Sequence, residues 1–214
     1  MKEVFIVLPG WTQTERSYER LIETAPENYQ IIVAHHHEII PGANITDFID
    51  NFRNFLKKRQ IAKTNLIGHS LGGALALEFC LHHPEMVKNL YLVDSAGVYG
   101  GETNTQLVNN LFKNLIRKGS AKLPLVFRNF ANFTKRLNMH IKLGKYAFKV
   151  DLQNRMHKIA HKTIILWGEK DQLTPLWQGK RLHELIKGSK LVVLKEMDHD
   201  WILHSPQLFW QNIF

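Results

Sequence analysis

The sequence predicts an α/β protein, a doubly wound parallel sheet of about six strands with helices on both faces. Three observations predict it. Strand-length apolar runs such as Val4-Phe5-Ile6-Val7-Leu8 alternate with longer stretches of helical periodicity, and continuous apolar runs are what strands buried on both faces require. One such run, Thr64-Asn65-Leu66-Ile67, passes through Gly68-His69-Ser70-Leu71-Gly72-Gly73 into Ala74-Leu75-Ala76-Leu77-Glu78-Phe79-Cys80-Leu81, which reads as strand, tight turn and helix. The rhythm then stops after Asp94-Ser95-Ala96-Gly97 and resumes at Lys162, which marks residues 98–155 as an insert into the sheet.

Taken in order, the first strand ends in Pro9-Gly10-Trp11-Thr12, a turn signal. Residues 14–25 follow as a short amphipathic helix with Tyr18, Leu21 and Ile22 on its apolar side. Tyr29-Gln30-Ile31-Ile32-Val33-Ala34 is the second strand. His35-His36-His37 after it reads as a solvated loop near the site rather than a metal cluster, because consecutive side chains in extended backbone alternate sides. Pro41-Gly42 marks a turn. Asn44 or Thr46 can cap a helix carrying Phe48, Ile49, Phe52, Phe55 and Leu56, closed by Lys57-Lys58-Arg59, where cations suit a helix C-terminus. The helix after Ser70 stops at His82-His83-Pro84, and Val87 to Asp94 forms the next strand.

The insert shows two amphipathic sets, Leu107, Val108, Leu111, Phe112, Leu115 and Ile116, then Leu123, Leu125, Val126, Phe127, Phe130 and Phe133. Lys162-Thr163-Ile164-Ile165-Leu166-Trp167-Gly168 resumes the sheet. Glu169-Lys170-Asp171-Gln172-Leu173-Thr174-Pro175 leads to a helix through Leu185, and Lys190 to Leu194 is the last strand. Met197-Asp198-His199-Asp200-Trp201 then precedes a terminal helix from about Ser205-Pro206.

The 214 residues suit one domain with a good core, and 44% hydrophobic with 22% charged residues is ordinary for a soluble globular protein. The single cysteine, Cys80, excludes an internal disulfide and reads as a small buried hydrophobe. The N-terminal residues run straight into a strand without a cleavage site, and no apolar run reaches the ~18 residues of a membrane span, so a cytoplasmic location is expected. The net charge of +9 resides in one place: residues 98–155 hold eleven Lys or Arg against Glu102 and Asp151, while the rest of the chain balances 17 basic with 17 acidic residues.

A Gly-x-Ser-x-Gly turn between strand and helix is the nucleophile elbow, and on these residues the chain resembles the α/β-hydrolase superfamily, in particular its serine esterase, lipase and acyl-hydrolase members. The turn would push the Ser70 hydroxyl above the sheet edge and aim the Leu71 N–H, at a helix N-terminus, at a developing oxyanion. A serine hydroxyl needs a base, and the base an orienting carboxylate. The family order of Ser, acid, His is met by Ser70, Asp171 and His199, each after a predicted strand, with Trp-Gly-x-x-Asp-x-x-x-Pro at 167–175 and Asp-His at 198–199 as the specific motifs. Asp94 is the rival acid, since some members place it there. The resemblance assigns the second oxyanion donor to the Trp11 N–H, with Pro9 where the family often has histidine. It makes residues 98–155 a helical cap over the site, set in a minimal core of residues 1–97 and 156–214. His69 reads as structural and turned away from the serine, His82, His83 and His204 as helix-end residues, and Asp198 and Asp200 as capping or solvating the turn.

The implied activity is a serine hydrolase cleaving carboxylic esters of small or medium acyl groups, without cofactor or metal. Serine at 70, rather than aspartate, argues against haloalkane dehalogenase or epoxide hydrolase chemistry. The alternatives are a lipid or thioester substrate met by the basic insert at a membrane or anion-facing surface, carbon–carbon bond hydrolysis, or a binding module on the same fold. The expected partner is a small-molecule ester, with a weak association of the cap with anionic membrane as a further option. No nucleic-acid motif accompanies the charge, and the sequence does not reveal the oligomeric state.

Overall fold

The computed structural model describes residues 2–41, 44–101 and 137–214. Six parallel strands form one sheet: β1 (Glu3–Leu8), β2 (Tyr29–Val33), β3 (Thr64–His69), β4 (Val87–Val93), β5 (Lys162–Gly168) and β6 (Lys190–Leu194), in the order β2-β1-β3-β4-β5-β6. The chain steps outward from β1 to β2, then returns past β1 to β3 and continues the other way. In an open parallel sheet that reversal opens a crevice beyond the C-terminal strand ends. The two strands flanking it, β1 and β3, end at Leu8 and His69, directly before Pro9-Gly10-Trp11 and Ser70.

The inner strands β1, β3, β4 and β5 bury both faces, and the period of two divides the core. Ile6, Leu8, Leu66, Leu90, Leu92, Ile165 and Trp167 face one side, with Phe48, Phe52 and Phe79. Phe5, Val7, Ile67, Tyr91, Val93, Ile164 and Leu166 face the other, with Tyr18, Leu21, Trp201, Phe209 and Trp210. That two-sided burial is why the strands read as unbroken apolar runs.

Among the described residues, the segment after Thr14 forms a 3₁₀ turn, Glu15–Tyr18, then α1 (Glu19–Glu23). His36–Ile39 is a single helical turn, α2. Asn44 caps the turn Ile45–Asp47 by accepting from the Thr46 N–H, and α3 (Phe48–Lys58) continues from it. The helix α4 (Leu71–His82) is buried along most of its length, so its sequence is apolar on every side. Within the insert, α5 (Leu137–Lys149) buries His140, Leu143 and Gly144. The two amphipathic sets expected between Leu107 and Phe133, and Gly42 of the expected turn, lie outside the described residues. Then come α6 (Leu176–Leu185), a turn α7 (Trp201–His204) and α8 (Gln207–Ile213). Cys80 is buried, with its thiol pushed up to about 12 by desolvation, and no helix among the described residues is long and apolar enough to cross a membrane.

One expectation fails. His35-His36-His37 is not a solvated loop: the last two residues open α2, and His36 is buried with Nε2 at 3.2 Å from the Pro9 carbonyl oxygen. Among the described residues no three metal-ligating side chains converge.

Candidate active site

Because all six strands run the same way, the loops after β1, β3, β4, β5 and β6 emerge at one sheet edge. The site is assembled from their first residues.

The elbow follows from two close approaches. A Cβ on Gly72 would lie 1.8 Å from the Leu8 carbonyl oxygen, and one on Gly68 2.6 Å from the Gly72 carbonyl oxygen. Only glycine allows the first turn of α4 to sit against β1 and the elbow to close on itself. Between them Ser70 takes φ 54° and ψ −119°, a backbone that L-residues avoid and that costs on the order of 1–3 kcal/mol. Surrounding hydrogen bonds hold it there. The Ser70 N–H donates to the Val93 oxygen at 3.0 Å, and the Ser70 oxygen accepts from the N–H groups of Gly73 and Ala96, each at 2.9 Å. Leu71 is the first residue of α4.

The Ser70 hydroxyl lies 2.9 Å from His199 Nε2, and His199 Nδ1 lies 2.7 Å from Asp171 Oδ2. The acceptor at Nδ1 sets the tautomer: the ring proton sits on Nδ1, and Nε2 is left to accept from the serine. His199 and Asp171 are both buried. Asp171 collects four donors. Oδ1 accepts from the N–H groups of Leu173 at 2.7 Å and Thr174 at 3.0 Å, and Oδ2 from His199 and from the Thr174 hydroxyl at 2.6 Å. Three members 28 and 129 positions apart in sequence are thus one hydrogen-bonded line.

The rival acid is elsewhere. Asp94 is fully buried and accepts the Gly168 N–H through Oδ1 at 2.8 Å, fastening the end of β5. Burial, and then the neighbouring charge of Asp171, push its carboxyl well above the usual carboxylate range.

Trp11 belongs to a tight turn closed by the Gln13 N–H donating to the Gly10 oxygen at 3.1 Å, with Thr12 at φ 64°. A trans peptide points its N–H opposite to its C=O, so the Trp11 N–H faces out of this turn. The Trp11 indole N–H donates to the His140 oxygen at 2.8 Å, and Gly144 packs flat on the ring, so α5 of the insert is seated on the loop after β1.

One expectation about neighbouring residues is corrected. Asp200 does not solvate its turn: it is buried, and its Oδ1 accepts from Gln13 Nε2 at 3.1 Å. Asp198, by contrast, does cap the turn, accepting from the Asp200 N–H at 3.1 Å and meeting His204 Nε2 at 2.9 Å. His69 is fully buried, as expected, yet its Nε2 reaches the carbonyl oxygen of His199, 130 positions later, at 3.0 Å. Burial, and then His199, push His69 down to about 4.

Sequence reasoning missed Thr174, Gln13 and the hydroxyl of Tyr18. Thr174 stands three residues after Asp171, the spacing of a side chain that turns back on an Asx-type turn, which was a usable signal. Tyr18 was read only as an apolar member of its helix, and Gln13 carried no signal in the sequence.

Comparisons with known proteins agree with this architecture. Residues 3–160 match the family model described as the alpha/beta hydrolase fold. A 2-hydroxy-6-oxononadienedioate/2-hydroxy-6-oxononatrienedioate hydrolase of Escherichia coli is 25% identical over 234 residues, covering 89% of this chain and 76% of that protein. A pimeloyl-[acyl-carrier protein] methyl ester esterase of Neisseria meningitidis is 21% identical over 245 residues, covering 98% and 90%. The solved structure of an esterase from Exiguobacterium antarcticum superimposes with a TM-score of 0.79 at 21% identity, covering 99% of this chain and 90% of that one. With the family model spanning well over half of its residues, and the strand order and elbow both in place, the chain belongs to the α/β-hydrolase family.

Proposed function

We propose that the protein is a serine hydrolase that cleaves carboxylic esters of small or medium acyl groups through Ser70, His199 and Asp171. The observation that carries this reading is the line from the Ser70 hydroxyl through both nitrogens of His199 to Asp171, at 2.9 and 2.7 Å, on a strained elbow. His199 Nε2 takes the hydroxyl proton as Ser70 Oγ attacks the ester carbonyl. Asp171 holds the imidazole and stabilises the imidazolium. The N–H groups of Leu71 and Trp11 donate to the carbonyl oxygen as negative charge develops on it; each such donor is worth about 10²–10³ in turnover. His199 then protonates the leaving alcohol, and water activated by the same nitrogen releases the acid from the acyl-enzyme. In this reading residues 98–155 are the cap over the site, with α5 on Trp11 as its inner edge. The Neisseria relative, whose name specifies a methyl ester, favours ester chemistry.

A second reading has its own support. The Escherichia relative is a hydrolase whose named substrate contains no ester, so the same serine could attack a ketone carbonyl and release a carbon fragment. The surplus of nine positive charges within residues 98–155 favours an acyl group delivered on an anionic carrier or lipid over a neutral one.

Chromogenic acyl esters from acetyl to palmitoyl, tested with wild type and Ser70→Ala, decide between these. Short-chain hydrolysis that vanishes in the variant supports the ester reading. A long-chain optimum raised by anionic vesicles moves the substrate to a lipid. Equal rates in the two proteins overturn Ser70 as the nucleophile. Turnover of a 2-hydroxy-6-oxodienoate without ester turnover selects carbon–carbon hydrolysis.

A further inference from the structure

Three loops carry the proposed machinery: the turn holding the Trp11 N–H, the elbow holding Ser70, and the loop holding His199. Behind them lies a cluster of side chains that the mechanism does not use. Gln13, Tyr18 and His69 are all buried, as is Asp200. The Gly10 N–H is shared between Gln13 Oε1 at 2.9 Å and the Tyr18 hydroxyl oxygen at 3.1 Å. The Tyr18 hydroxyl is bonded to Gln13 Oε1 and lies 2.9 Å from His69 Nδ1, which is itself 2.9 Å from Gln13 Oε1. His69 Nε2 faces the His199 carbonyl oxygen at 3.0 Å, and Gln13 Nε2 donates to Asp200 at 3.1 Å.

The chemistry of the partners orients the cluster. A carbonyl oxygen can only accept, so His69 carries its proton on Nε2 and donates it to His199, and Nδ1 is left as an acceptor that shares the single hydroxyl proton of Tyr18 with Gln13 Oε1. The junctions to Gly10 and Asp200 therefore depend on Gln13 and Tyr18, and the junction to His199 is made by His69, whose Nδ1 those two side chains face. The two groups they hold are the ones with catalytic consequence. The Gly10 amide precedes the peptide whose N–H is the proposed oxyanion donor, and the His199 carbonyl belongs to the proposed base.

We infer that Gln13, Tyr18 and His69 are positioning residues that lock the oxyanion donor of Trp11 and the base His199 into one register across the crevice. The inference rests on the serine hydrolase reading above. It explains why buried polar groups surround Tyr18, a member of the apolar core cluster, where aliphatic side chains would pack with less desolvation. In a dry site a shift of about 1 Å in either partner costs on the order of 10²-fold in rate.

The test needs no knowledge of the natural substrate. A fluorophosphonate phosphonylates an activated serine with loss of fluoride, and its rate depends on the base and on the oxyanion donors. Tyr18→Phe keeps the ring and removes the hydroxyl; Gln13→Leu removes the amide at similar size. Each is expected to slow Ser70 labelling by about 10- to 100-fold in protein that remains folded. The double variant should be no slower than the worse single, because the cluster acts as one unit. Wild-type labelling rates in folded Tyr18→Phe and Gln13→Leu, even with a lowered Tm, would reduce the cluster to packing and overturn the inference alone. Multiplicative slowing in the double variant would overturn it too, as two separate effects. A wild type that does not label at Ser70 would overturn the serine hydrolase reading and this inference together.

Discussion

Acidification from about pH 7.5 to pH 4 is expected to strip stability through two side chains, His36 and His69. Both are buried, and desolvation pushes each from 6.5 down to about 4, with His140 and the flanking histidines adding to burial at His36, and His199 at His69. The unfolded chain takes up a proton near 6.5 at each position, while the folded chain refuses it until about 4. Between those values the unfolded state holds more protons, so stability rises with pH. The contribution is complete above 6.5 and is lost as the pH falls toward 4. Integrating that difference gives about 3 kcal/mol per histidine at pH 4, or about 6 kcal/mol for the pair. Typical domains have only about 5–15 kcal/mol in total, so the loss is large. The assay is urea unfolding at half-unit pH steps, for wild type and His36→Gln. Glutamine can still donate to the Pro9 oxygen but does not titrate. The variant should lose about 3 kcal/mol less than wild type across the window. Parallel curves for the two proteins would refute the reasoning, because His36 would then not be held neutral by the fold.

The remaining expectations concern rates and packing. Asp171→Asn should lower ester turnover by about 10⁴-fold through the wrong His199 tautomer, whereas Asp94→Asn, which keeps an oxygen to accept the Gly168 N–H, should stay within about tenfold of wild type; steady-state kinetics of both variants check this. Gly73→Ala would place a Cβ 1.9 Å from the Ser95 hydroxyl oxygen and is expected to cost about 1–3 kcal/mol, read as a lowered urea midpoint. Gly144→Val drives α5 off the Trp11 indole, where even a Cβ would sit at 2.9 Å; kcat/KM should fall about tenfold, and the thermal midpoint should fall with it because Leu143 of the same helix belongs to the core.

The sheet was legible because its strands are buried on both faces, so Val4 to Leu8 and Lys162 to Gly168 declare themselves without any tertiary knowledge. Ser70 was legible because a strained elbow demands small residues at fixed offsets, and His199 and Asp171 because each directly follows a strand in a fixed order. The choice between Asp94 and Asp171 needed coordinates: both end strands at the same edge, and only the structure shows one accepting from His199 and the other from the Gly168 amide. Burial of His36 was not legible, since three consecutive histidines look polar and nothing local reveals that the Pro9 carbonyl lies over the middle one. Gln13 and Tyr18 escaped for the same reason. Their partners are His69, Asp200 and a backbone amide, and the farthest is 187 positions away.

Those separations bear on how the molecule must fold. Phe5 on the first strand packs edge-on to Trp210 at 5.6 Å between ring centres, and Tyr29 stacks on the same indole at 6.0 Å. The Phe5 and Tyr29 rings therefore lack their Trp210 partner during synthesis until α8 has been made. Ser70 lacks its His199 partner until the loop after β6 arrives, 129 positions later. A nascent or truncated chain would thus show exposed aromatic rings and a serine without the imidazole beside it. Loop closures of this span come late and slowly in folding. Regain of Ser70 reactivity after dilution from denaturant would report the last step of sheet assembly, and a holdase would be needed most just before Trp210 docks.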